Sequence, residues 1–148
     1  MNGSISRTAF LSAVMLGLST VALAQKSPDF GKGEYESNCA VCHGVNGEGG
    51  GPYASMFMKK PPPDLTIIAK SNGGVFPVMR VYEIIDGRGA EIQAHGPRHM
   101  PIWGADYIAK AGEHLESYPV EYYPVPPEAF ARIRILLLTD YLNRIQKH

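Results

Sequence analysis

Cys39-Ala40-Val41-Cys42-His43 decides how the rest of this chain is read. Two cysteines three positions apart on one helical turn face the same way. Their thiols can add to the two vinyl groups on one edge of a haem. The imidazole after them then lies under the ring with a nitrogen aimed at the iron. C-x-x-C-H therefore reads as a c-type haem attachment site, with Cys39 and Cys42 as thioether anchors and His43 as an axial ligand, one haem per chain. Three other readings compete. A thioredoxin-like redox pair needs a βαβ setting, and none surrounds this site. Half a zinc site needs a second ligand pair, and the chain has none after it. A plain structural disulfide would leave His43 incidental. Export of the chain, together with a His directly behind the second Cys, favours haem.

Export is read from the N-terminus. Arg7 is the sole charged side chain before Lys26, residues 9–24 are mostly apolar with many small side chains, and Ala22-Leu23-Ala24 gives the small-x-small pattern cut by signal peptidase. An uncleaved membrane anchor is the rival. Sixteen helical residues span roughly 24 Å, short of the ~30 Å hydrocarbon core. Residues 1–24 are thus expected to be a cleaved signal peptide and residues 25–148 the mature domain, a periplasmic protein. The 148 residues carry 14 Lys+Arg and 14 Asp+Glu, which argues against a nucleic-acid binder. The length supports one domain. With only two cysteines, that domain is held by its core or by what it binds.

Two helices are expected to frame the site. Ser27 or Asp29 suits an N-cap, and Gly31, Tyr35 and Cys39 recur at i, i+4 and i+8 on one face. A glycine there permits close approach by a partner helix. Near the C-terminus, Pro127 suits a first helical position, and a helix is expected over 128–146. Phe130, Ile133, Leu137, Leu138, Tyr141, Leu142 and Ile145 form its apolar stripe, with Ile135 and Leu136 off it.

The opposite face of the iron needs a second ligand. Met100 lies in Gly96-Pro97-Arg98-His99-Met100-Pro101-Ile102-Trp103-Gly104, where two prolines forbid a regular helix and leave a stiff loop able to project one side chain. His99 is the rival, and a His/His site would sit at lower potential than His/Met. Met56, Met58 and Met79 read as gap-fillers in the core.

With the motif at 39–43, His-Met-Pro-Ile-Trp-Gly at 99–104 and an amphipathic C-terminal helix in that order, the chain resembles the class I c-type cytochromes: monohaem, His/Met-ligated proteins, here of the exported bacterial type. The resemblance implies an all-α fold, several short helices around one covalently bound haem, with N- and C-terminal helices crossing near Gly31 and Tyr35 against Leu138, Tyr141 and Leu142. It implies that a carbonyl at Pro52 accepts the second imidazole proton of His43. It also implies that Trp103 lies near a haem propionate. The departure is the long segment 105–127, with a short helix over 105–116, which reads either as a cover for the core or as a docking surface.

In the middle of the chain, Pro61-Pro62-Pro63 is a stiff run and Asp64-Leu65-Thr66 offers a helix cap before residues 67–70. Asn72-Gly73-Gly74 is a turn, and 75–85 is expected to be a helix with Val78, Val81, Tyr82 and Ile85 on one side. Arg88 or Arg98 is a candidate propionate partner, with a solvated surface charge as the commoner fate. The function implied is that of a monomeric electron-transfer protein, not an enzyme, with redox proteins as partners. A cytochrome subunit or dedicated electron acceptor of a dehydrogenase or terminal oxidase, and a ligand-binding haem protein, are the alternatives.

Overall fold

Asp29 starts the first helix. Its carboxylate accepts the backbone N–H of Lys32 at 3.0 Å, and α1 runs Phe30–Asn38. The fold is a computed structural model that describes residues 27–89, 100–116 and 125–147. The expected leader at 1–24, and likewise Arg98 and His99, lie outside the described residues. After α1 come α2 (Ala40–His43), α3 (Pro52–Phe57), a 3₁₀ turn (Leu65–Ile67), α4 (Ile68–Ser71), α5 (Val78–Asp86), α6 (Trp103–Glu116) and α7 (Pro127–Arg144). The described residues contain helices and no strand, so the all-α expectation holds.

The two outer helices cross where the glycine stands. A Cβ at Gly31 would lie 2.3 Å from the carbonyl oxygen of Leu137, so only glycine lets α1 settle on α7 at this point. Tyr35, fully buried, packs its ring 5.2 Å from that of Tyr141. Arg144 reaches back to Asp29 with two hydrogen bonds of 2.8 Å and locks the outer end of the crossing. On the other flank, Arg134 pairs with Glu34, which also accepts from the Tyr107 hydroxyl at 2.9 Å.

The burial of α7 differs from the stripe read in the sequence. Ala131, Ile135, Leu138, Thr139, Tyr141 and Leu142 are buried, whereas Ile133 is 50% exposed. The reason is α6, which lies along α7 and packs Tyr107 and Ala111 into the core. With α1 on one side and α6 on the other, the buried sector turns away from Ile133 and takes in Ile135. Leu136, at 48%, stays outside.

The middle segment obeys its caps. Asp64 accepts from the backbone N–H of Thr66 at 2.7 Å and from its hydroxyl at 2.6 Å. Pro77 delays α5 to Val78, three residues later than expected, because proline favours the position just before or at a helix start. Val81 and Ile85 are buried, but Val78 is 45% exposed. Met56 and Met79 are 74% and 67% exposed in the polypeptide, so neither fills a gap in its core.

Candidate haem site

The C-x-x-C-H stretch forms one turn at a break between two helices. Cys39 ends α1, and its carbonyl accepts the N–H groups of Cys42 at 3.1 Å and His43 at 2.8 Å. Both cysteines are half-buried free thiols. Burial, helped by the neighbouring Cys42, pushes the Cys39 thiol up to about 12. A thioredoxin-like pair works by the opposite shift, toward thiolate. Among the described residues, no group of three or more His, Cys, Asp or Glu is assembled that could hold a metal ion.

The glycine loop after the motif braces the end of this turn. The carbonyls of Cys42 and His43 have no partner within so short a helix. They accept instead from Gly51 at 3.1 Å and Gly49 at 2.8 Å. Gly44 has φ +75°, and a Cβ there would stand 2.3 Å from the carbonyl oxygen of Gly49. A Cβ on Gly51 would stand 2.5 Å and 2.6 Å from the carbonyl oxygens of Val41 and Ala40. The buried Tyr35 hydroxyl donates to the carbonyl of Gly44 at 2.6 Å, which ties the loop to α1.

His43 is the unsatisfied member of this assembly. Its Nδ1 is buried and makes no hydrogen bond of normal geometry. Burial lowers its basicity, and the backbone of Pro63 opposes that shift. Proline has no N–H, so the group facing the ring is the Pro63 carbonyl. The carbonyl beside His43 is thus that of Pro63, while the acceptor expected at Pro52 falls on a residue of α3. Pro52 opens α3, where its carbonyl points down the helix, and its side chain is exposed. Nothing in the sequence marks which carbonyl of the three-proline run meets the ring. Pro63 is held in place through the residues on its C-terminal side. Leu65 donates to the carbonyl of Gly47 at 2.7 Å, and the Gln146 side chain bonds Ala69 at 2.8 Å and Leu65 at 2.7 Å.

Trp103 begins α6 and is 9% exposed, its ring 5.9 Å from that of Tyr107. Met100, three residues earlier, is half-buried and packs against the same core. Arg88 pairs with two carboxylates. Its guanidinium grips Asp86 through Nε at 2.6 Å and Nη2 at 2.9 Å, and Glu128 through Nη1 at 2.9 and 3.0 Å.

Two free thiols one turn apart, an adjoining imidazole with a buried nitrogen lacking a partner, and a helical shell fit a covalently bound haem. The architecture and donor set are those of a haem-carrying all-α protein. A family model described as Cytochrome c matches residues 29–102, half of the chain, and the chain belongs to the cytochrome c family. That family carries one covalently attached c-type haem per chain and generally transfers electrons. No curated protein and no solved structure matches the chain significantly. The matched region ends just before α6, so α6 and α7 lie beyond it.

Proposed function

We propose that the protein is an exported, periplasmic one-electron carrier whose haem is held by Cys39 and Cys42 and whose iron is held by His43 and Met100. The observation that carries this reading is the His43 ring: its Nδ1 is buried and the Pro63 carbonyl lies against the ring, on the turn that also carries both cysteines. The bound haem supplies reversible Fe(III)/Fe(II) exchange, tuned toward the ferrous state by a thioether ligand. The chain's own residues fix the imidazole, shield it from water and hold the thioether loop against the core. Two protein ligands leave no open iron position, which favours electron transfer over substrate chemistry.

The rest of the reading rests on the sequence. Residues 1–24 form a cleaved signal peptide, and the mature protein is a monomer that docks transiently on donor and acceptor proteins. Its near-zero net charge makes local patches, screened by salt, the basis of docking. Placement as a dedicated subunit of a dehydrogenase or oxidase would use the segment after the methionine loop. The described part of that segment, α6, buries Trp103, Tyr107 and Ala111 against the core, which supports a cover rather than a docking platform.

The test is the visible spectrum of the purified mature protein, oxidised and reduced, with a pyridine haemochrome assay. A c-type haemochrome with the red methionine-to-ferric-iron charge-transfer band, lost in Met100→Ala, is expected. A c-type haem without that band turns the assignment to His99 or to an open, ligand-binding iron. No haem in a correctly matured preparation overturns the reading.

A further inference from the structure

The segment that carries Met100 is anchored at both roots by one charge cluster. Gly87 ends α5 with φ +69°, a left-handed turn that brings Arg88 back onto Asp86. The Arg88 fork then holds two carboxylates at once, Asp86 on α5 and Glu128 in the first turn of α7. The other root is Gly104, in the first turn of α6. A Cβ there would meet Asp86 Oδ1 at 2.3 Å and Arg88 Nε at 2.5 Å. The cluster thus sits directly on the α6 backbone, four positions after Met100. Three helices meet at this point, and the methionine segment leaves from one and returns to another.

A thioether binds iron weakly, so its occupancy depends on how closely the chain holds it in place. Drawing the ends of a loop together removes conformations that would carry the ligand away. We infer that Arg88, with Asp86 and Glu128, is a positioning cluster that holds Met100 on the iron against competing ligands. This rests on Met100 being the second axial ligand. Arg88 does not touch the reacting atoms. It acts through the backbone at Gly104, and only a planar fork can hold both carboxylates in this arrangement.

The experiment is an imidazole titration of the matured ferric holoprotein at neutral pH, read at the red charge-transfer band. Arg88→Gln should bind imidazole about two- to fivefold more tightly than wild type, the size expected for a part-exposed charge network. Glu128→Gln should shift affinity the same way by less. Arg88→Lys should not restore it, and Arg132→Gln, exposed on α7, should match wild type. A wild-type protein lacking the band overturns both the ligand assignment and this inference. A wild-type band with unchanged imidazole affinity in Arg88→Gln and Glu128→Gln overturns the cluster alone, even if chemical denaturation shows the variants to be less stable. Should Arg88→Gln fail to mature, Glu128→Gln decides by the same criterion.

Discussion

Gly31 lies directly against the carbonyl of Leu137, with 2.3 Å between that oxygen and the place a Cβ would occupy. The neighbouring Tyr141 Cβ stands 3.1 Å from the same point. Two helices meet here through their backbones, and neither neighbour is the end of a flexible side chain. Gly31→Ala should therefore destabilise the holoprotein by about 1–3 kcal/mol through overpacking. Guanidinium denaturation monitored by far-UV circular dichroism would show it as a lower midpoint with little change in slope.

Gly33, two residues on, gives the opposite sign. Nothing lies within 4 Å of a Cβ built there, and the residue is exposed inside α1. Gly33→Ala should stabilise by about 0.5–1 kcal/mol, because it removes backbone freedom from the unfolded chain without a clash. An unchanged or lowered midpoint would mean that α1 carries strain at this position.

The Asp29–Arg144 pair predicts an acid dependence. The Arg144 hydrogen bonds, with that from Lys32, hold the Asp29 carboxyl down at about 2 against an ordinary 3.8. A depressed folded value stabilises the fold above the unfolded value, and that contribution fades as pH falls from about 4 through 2. Asp29→Asn keeps a capping side chain and removes the charge. The stability gap between wild type and Asp29→Asn should be widest near pH 6 and narrow by pH 2.5. It should also shrink in high salt, since the pair is largely solvent-exposed.

Gly51 predicts a defect in maturation. Its Cβ would strike the carbonyls of Val41 and Ala40 within the haem-binding turn. Gly51→Ala should lower haem attached per polypeptide, measured by haemochrome assay on matched preparations. Gly50→Ala is a poor control because of its φ of +71°, whereas Gly33→Ala is a clean one. Equal haem loading in Gly51→Ala and wild type would show that the turn tolerates being pushed from the loop.

Much of this architecture was legible because local chemistry specified it. The C-x-x-C-H spacing, the Gly31–Tyr35 face and the Asp64 cap all depend on residues a few positions apart. The phase of α7 was not legible in the same way. A one-sided stripe through Ile133 is the natural reading for a helix with one neighbour, but α6 supplies a second and draws in Ile135 and Ala131. Alanines carry such contacts without standing out in an apolar pattern. The Pro63 carbonyl was missed for a related reason. A backbone carbonyl has no sequence signature, and proximity to His43 depends on how residues 44–63 fold back. The pairing of Arg88 likewise depends on Glu128, forty positions away.

Gln146 carries a consequence for the order in which the molecule is completed. Eighty-one positions separate it from Leu65, whose carbonyl it bonds, and Lys147 adds a backbone bond to Thr66 at 2.8 Å and an ion pair to Glu48. Buried at 9% exposure, its amide also reaches Ala69 and Leu142. The segment just behind Pro63 is therefore finished by residues translated long after the haem motif has been made. A nascent or truncated chain that stops before Gln146 would hold every thiol and the imidazole, yet lack the side chain that fixes the wall behind them. The geometry of the His43 environment thus depends on Gln146 and Lys147, and a deletion that removes them would be felt at the far side of the fold.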